Sequence, residues 1–273
     1  MCSNLLCLPP SLVEYLYFAI LLIANVLNCL VGLAHVCILA RRHWPCADAT
    51  PKRPMEAVPI SVVVPCYLPN EQTIIVATVE HIMLHLEWPG PVTLHVVYNT
   101  PAPLPFEATL QALDGREYEA GRVVRVVRAD GSTSKAANLN LVLSHLRDEF
   151  VALYDADHRP DPSSLRLLMR RLLDTNAVAV QGSTYIRNTR GRHVSPLARA
   201  IDAEFFVTHF VYFPAMEMLA SSGYFGGSNA LWRTSTLASY AFDTSMLTED
   251  VDVSARRAAR LLARSCPTSS DLV

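Results

Sequence analysis

Apolar residues along this chain come in runs of two lengths, and the two lengths predict different elements. The long run, Tyr15 to Ala40, carries no Asp, Glu, Lys or Arg over 26 residues. That exceeds the roughly 20 apolar residues a bilayer-crossing helix needs. The short runs are rich in β-branched residues: Ile60 to Pro65, Val92 to Val97, Val123 to Val127 and Val151 to Tyr154. Each has the length of a strand. Between them the spacing turns helical, with Ile74, Ile75, Thr78, Ile82 and Leu86 recurring from Glu71 to Glu87, and a second helix predicted over Ser134 to Arg147. Strands alternating with helices predict an α/β fold with a mostly parallel sheet covered by helices.

The long run reads as a retained transmembrane helix at residues 15–40. A cleaved signal peptide has a basic head and an apolar stretch of about 7–15 residues, whereas Glu14 and no basic residue precede this one. Arg41 and Arg42 follow directly, and positive charge marks the cytoplasmic end of a membrane helix. The chain is therefore expected to be an integral membrane protein whose large C-terminal part faces the cytosol. Asn25 and His35 inside the span are tolerated polar residues, helix contacts or ligands. Residues 41–59 hold four prolines and read as a juxtamembrane linker. A later apolar stretch, Pro196 to Leu219, is interrupted by Arg199, Asp202 and Glu204, and Pro214 is expected to break its helix. It reads as a core or membrane-surface helix.

Charge and cysteine content narrow the partners. The chain has 23 Lys+Arg against 25 Asp+Glu and no polybasic run, which excludes nucleic acid as the expected partner. Its seven cysteines form no CxxC pair, so neither a zinc site nor a disulfide framework is indicated, and a reducing compartment is the natural setting.

The densest candidate chemistry follows the strand at Val151–Tyr154, where Asp155 and Asp157 stand one residue apart with His158 behind them. Ligands collect at the carboxyl ends of strands in open α/β sheets. Two adjacent carboxylates repel unless a cation or a proton offsets them, and hard oxygen donors suit Mg²⁺ or Mn²⁺. An Asp-rich turn before Pro160 is the structural alternative. Lys135 opens a predicted helix behind Ser132, Thr133 and Ser134 as candidate caps, against the dipole preference for acids there. It is a solvated lysine or part of an anion site. Gly223 to Arg233 packs three glycines among aromatic residues, which suits either a turn or close approach to a sugar ring. Thr248-Glu249-Asp250 reads as a capped helix start, or as a carboxylate general base.

Taken in order, Ser61-Val-Val-Val-Pro65, Lys135-Ala-Ala-Asn138-Leu-Asn140, Tyr154-Asp-Ala-Asp-His158, Gln181-Gly182, Phe225-Gly-Gly-Ser-Asn-Ala230 and Thr248-Glu-Asp250 resemble the motifs of family 2 inverting glycosyltransferases, in the cellulose, chitin and hyaluronan synthase branch. The resemblance covers roughly Val58 to Ala255. It implies an A-type, nucleotide-diphospho-sugar transferase domain at 60–255 that transfers sugar from a UDP-sugar to a growing glycan. By position, Asp155 and Asp157 match the metal and diphosphate pair, with His158 beside the metal. Lys135 matches the lysine near the nucleotide. Tyr67 and Glu71 fall where the family contacts uridine, and Asn99 stands where an aspartate often contacts the base. Asp250, with Glu249 beside it, matches the general base. Phe225, Gly226, Gly227 and Ser228 match the loop near the acceptor. Relatives of that branch continue to a Gln-x-x-Arg-Trp motif and pore helices; residues 256–273 do not resemble them and are expected to form a disordered tail, as in a truncated chain. A nucleotide-sugar-binding subunit without activity and a transferase acting on a lipid acceptor are the alternatives.

Overall fold

The computed structural model describes residues 10–43, 57–186, 194–220 and 223–265. In chain order the elements are α1 (Pro10–His43), β1 (Ile60–Tyr67), α2 (Leu68–Glu71), α3 (Ile75–His85), β2 (Val92–Asn99), α4 (Phe106–Gln111), β3 (Glu117–Tyr118), β4 (Arg122–Arg128), α5 (Lys135–Leu143), β5 (Phe150–Leu153), α6 (Ser164–Thr175), β6 (Ala179–Gln181), α7 (Pro196–Phe206), α8 (Phe213–Ala220), β7 (Ala230–Arg233), α9 (Thr234–Tyr240) and α10 (Glu249–Ser265). They divide into two compact units, one drawn from Pro51–Thr184 and Gly223–Val273, the other from Met1–Thr50 and Tyr185–Ser222. The segment expected to lie inside a continuous catalytic domain at residues 185–222 therefore groups with the N-terminal helix.

The first unit is built on one seven-stranded sheet in the order β3-β4-β2-β1-β5-β7-β6. The strands β4, β2, β1 and β5 are parallel, while β3, β7 and β6 pair antiparallel at the two edges. Both faces of the sheet are covered, which is why β1 is a continuous apolar run and not an alternating one. Val62 and Val64 pack on one face with Ile82, Leu165 and Leu172, and Val63 packs on the other with Leu139, Val142 and Trp232. The helix predicted as continuous from Glu71 is split: α2 carries Pro69 in its first turn, a turn follows, and α3 begins at Ile75. The helix predicted to reach Arg147 ends at Leu143. The tail expected to be disordered from residue 256 is helical as far as Ser265, because α10 continues through it; residues 266–273 lie outside the described residues.

In the second unit, α1 packs against α8 and the turn that precedes it. Ala34 of α1 and Ala215 of α8 are its buried apolar residues among those described. Small side chains of this kind let helix backbones approach closely. Leu12–Ala40 is long and apolar enough to cross a membrane. Residues 196–220 form one helical run, so Pro214 does not break it. The run widens to a π-helix over Val207–Tyr212, and the Phe213 N–H bonds the Thr208 carbonyl five residues back. A widened turn next to a proline absorbs the donor that proline lacks.

Candidate active site

The site is built where the parallel strands end. After β5, Tyr154 is still buried and Asp155 is the first half-exposed side chain. The Asp155 N–H donates to Ser228 Oγ at 2.9 Å, and the same oxygen lies 2.7 Å from His158 Nδ1. Asp157 is 69% exposed, with its Oδ1 3.8 Å from His158 Nε2. One ligand atom from each of Asp155, Asp157 and His158 falls within 4.8 Å of the others. Two carboxylate oxygens and an imidazole nitrogen at that spacing could hold a divalent cation such as Mg²⁺ or Mn²⁺.

The predicted repulsion between the carboxylates is relieved from within the protein as well. Ser134 caps α5, its hydroxyl accepting the Ala137 N–H at 3.1 Å. Lys135, next in the chain, places its Nζ 2.6 Å from Asp155 Oδ1 and 3.3 Å from Glu249 Oε1, and donates to the Gly227 carbonyl at 3.3 Å. Burial of the ammonium disfavours its charge, but Asp155 and Glu249 outweigh that and raise its pKa. Lys135 is therefore charged at neutral pH and joins the end of β5 to the start of α10.

Gly227 closes the arrangement. It adopts φ +79°, and a side-chain carbon there would stand 3.0 Å from Asp250 Oδ2 and 3.4 Å from Lys135 Nζ. Only glycine lets backbone come this close to both groups in that conformation. In the first turn of α10, Asp250 Oδ1 accepts its neighbour Val251's N–H at 2.8 Å, and the other oxygen lies towards Gly227.

At the end of β1, the Tyr67 N–H donates to Glu71 Oε2 at 2.7 Å, and Tyr67 itself is 43% exposed. The Glu71 pKa is raised, first by burial and further by the Asp157 and Asp155 charges, although bonds from Cys66 and the Tyr67 backbone oppose the shift. Glu71 thus borders the acidic pair, with one oxygen committed to the strand end.

Two sequence expectations change. Asn99 is 4% exposed, and both polar atoms of its amide are bonded within the protein. Its Nδ2 donates to the Ser132 carbonyl at 3.0 Å, its Oδ1 accepts from Asn138 Nδ2 at 2.8 Å, and Ser132 Oγ donates to Asn138 Oδ1 at 2.6 Å. Buried and bonded through both its nitrogen and its oxygen, Asn99 holds the loop ahead of Lys135. Phe225, expected near the acceptor, is 4% exposed and meets Trp232 edge-on at 5.3 Å. It is a core residue whose N–H donates to Ser254 Oγ at 2.9 Å.

Other contributors had no role assigned from sequence. Gln181 braces the loop over the site: its Nε2 donates to the Ser228 carbonyl at 2.7 Å, and its Oε1 accepts the Gly226 N–H at 2.9 Å. Arg159 donates to the buried Thr78 hydroxyl, which also bonds the Ala156 carbonyl and ties the acidic turn to α3. Gln181 stood within a quoted motif; Thr78 and Arg159 gave no signal, because 81 residues separate them.

A family model for glycosyltransferase like family 2 matches residues 57–266. No curated protein matches the chain. Among solved structures, the mannosyltransferase PcManGT from Pyrobaculum calidifontis, in complex with GDP-Man and Mn²⁺, is similar at 20% identity and a TM-score of 0.56. The match covers 88% of this chain and 63% of that one, so the chain spans less than two thirds of that protein's length. Glucosyl-3-phosphoglycerate synthase from Mycobacterium tuberculosis, in complex with UDP, matches at 20% identity and a TM-score of 0.48, over 75% of this chain and 66% of its own. S. aureus TarS matches at 14% identity and a TM-score of 0.46, over 71% and 53%. The likeness to the mannosyltransferase is one of fold, the nucleotide-diphospho-sugar transferase fold that the sheet order also displays. With more than three quarters of its length matched by the family model, this chain belongs to glycosyltransferase like family 2.

Proposed function

We propose that this family 2 nucleotide-sugar transferase is membrane-anchored and inverting, moving a sugar from a UDP-sugar to a growing glycan as polysaccharide synthases do. The observation that carries the reading is the position of Lys135 Nζ, within ion-pair distance of both Asp155 and Glu249, while Asp250 Oδ2 faces the same glycine. A group that binds a diphosphate and a group that can accept an acceptor's proton thus share one small volume.

In this mechanism the acceptor hydroxyl gives its proton to the Asp250 carboxylate. Its oxygen forms a bond to the anomeric carbon from the face opposite the leaving group, and the bond from that carbon to the nucleoside diphosphate breaks. The Lys135 ammonium meets the negative charge growing on the departing diphosphate. Asp155, Asp157 and His158 would hold Mg²⁺ or Mn²⁺, which supplies further positive charge to the same oxygens. Tyr67 and Glu71, at the end of β1, border the nucleotide side. Gly226 and Gly227 line the acceptor side, and Ser228, expected there as well, is buried behind them at 2% exposure. Glu249 holds Lys135, 12% exposed where it does so.

The Leu12–Ala40 segment is the proposed anchor, with Arg41 and Arg42 directing the sheet unit to the cytosol. A lipid-linked acceptor is the second reading, favoured by exposed Phe206, Phe210 and Leu219 on the helical run of residues 196–220. The experiment is transfer of radiolabelled sugar from UDP-sugars by the full chain in membranes, with Mn²⁺ or Mg²⁺. Label in insoluble polymer supports the first reading and label in organic extracts the second. Metal-dependent UDP binding with no transfer to any acceptor would identify a binding subunit instead. Asp155→Ala and Asp157→Ala are expected to abolish metal-dependent UDP binding, and unchanged binding in both would overturn the metal assignment.

A further inference from the structure

Ser228 is 2% exposed, and its hydroxyl touches two parts of the acidic turn at once. It accepts the Asp155 N–H at 2.9 Å and lies 2.7 Å from His158 Nδ1. The Asp155 amide can only donate, so the position of the oxygen relative to the turn is fixed before the histidine is considered. Ser228 is itself held from behind, because Gln181 Nε2 donates to its carbonyl at 2.7 Å. His158 therefore rotates against an anchored oxygen, with its Nε2 turned towards Asp157 Oδ1 at 3.8 Å.

We infer that Ser228 is a positioning residue for the metal, setting the ring plane and the tautomer of His158 so that Nε2 is a ligand beside Asp155 and Asp157. The inference rests on the metal reading above and adds to it a residue that touches neither metal nor sugar. An imidazole that ligates through Nε2 keeps its proton on Nδ1, and a metal-bound histidine nearly always gives that proton to an oxygen. Ser228 Oγ is the atom in place to accept it. The hydroxyl suits both states of the site: it can donate to Nδ1 when the proton is on Nε2, and accept from Nδ1 when Nε2 binds a cation. A carboxylate there would add a third negative charge. An alanine would leave both Nδ1 and the Asp155 N–H without their partner.

The test is Mn²⁺ binding to the full chain, extracted from membranes, with UDP as the nucleotide probe. Affinity is read from the free Mn²⁺ signal, and direct nitrogen ligation from electron spin-echo modulation by imidazole ¹⁴N. Wild type is expected to show the nitrogen modulation, and His158→Ala to lose it. Ser228→Ala is expected to lose the modulation and about 10- to 100-fold in Mn²⁺ affinity, and Ser228→Thr, which keeps the hydroxyl, to restore both. A merely structural role would lower the amount of folded protein without removing nitrogen from the coordination sphere of what remains. Nitrogen modulation and affinity unchanged in Ser228→Ala would overturn the inference while leaving the metal site intact. Mn²⁺ bound to wild type without nitrogen modulation would also overturn it, even if no Ser228 variant folds. Wild type that binds no Mn²⁺ would remove the metal reading itself, and this inference with it.

Discussion

The two banks of the site are built differently. The bank formed by Asp155, Asp157 and His158 follows β5, a strand whose four residues are all buried and paired on both sides. The opposite bank, Glu249 and Asp250, sits at the first turn of α10, after exposed residues 243–248. The strand bank is fixed by the core. The helix bank is held from behind by buried Val253, by Ser254 on the Phe225 N–H and by Arg256 on the Tyr240 and Ala241 carbonyls, and across the site by Lys135 to Glu249 and the close pass of Gly227 under Asp250. In the proposed mechanism, donor binding draws on the strand bank and Lys135, whereas transfer needs both banks at once. Changes between the banks should therefore reduce transfer more than donor binding, and changes behind the strand bank should do the reverse.

Lys135→Ala is the largest expected break, because it removes the one cation found between the banks among the described residues. Loss of a charged donor aimed at a developing anion costs about 10²- to 10³-fold in turnover. UDP affinity should fall too, since Asp155 loses its ammonium partner, and titration of both quantities on one preparation separates the effects. Wild-type turnover in Lys135→Ala would show that the lysine is only a strut.

Gly227→Ala should act on the helix bank more selectively. The new carbon would stand 3.0 Å from Asp250 Oδ2 and would have to be held at φ +79°. Backbone strain of this kind costs about 1–3 kcal/mol, and displacement of Asp250 should lower transfer by at least about tenfold, with Mn²⁺-dependent UDP binding close to wild type. A drop in binding as large as the drop in transfer would mean that the two banks are not separable.

Asn99→Ala is the smallest and tests the strand side. It leaves the buried Asn138 amide and Ser132 carbonyl short of a partner, at about 1–3 kcal/mol of stability. Thermal unfolding of the variant should shift while its preference among nucleotides stays unchanged. An altered nucleotide preference with no loss of stability would return Asn99 to the base-contacting role its position first suggested.

These residues also show what a sequence can reveal of such a site. The sheet was legible because its strands are buried on both faces, which leaves long β-branched runs such as Ile60 to Val64. The acidic turn was legible because its chemistry sits within four consecutive positions. Asn99 and Phe225 misled for one reason: whether a side chain faces the ligand or the core depends on distant partners. Those are Ser132 and Asn138, 33 and 39 residues from Asn99, and Ser254, 29 residues from Phe225. The split between the banks was invisible for a similar reason, since Lys135 lies 92 residues from Gly227. The antiparallel edges and the π-helical turn before Pro214 left no periodic signature, the first because β3 and β6 are two and three residues long, the second because a widened turn keeps an apolar pattern nearly helical.

The most direct test of the central claim, that Asp250 takes the proton from the acceptor in a reaction whose donor is held by the other bank, is Asp250→Asn assayed for donor binding and transfer together. The exchange keeps the side chain's size and its oxygen bond to the Val251 N–H while removing the base. The account predicts Mn²⁺-dependent UDP binding equal to wild type and a fall in transfer of about 10²- to 10⁴-fold. Transfer at the wild-type rate would contradict it and remove Asp250 as the base.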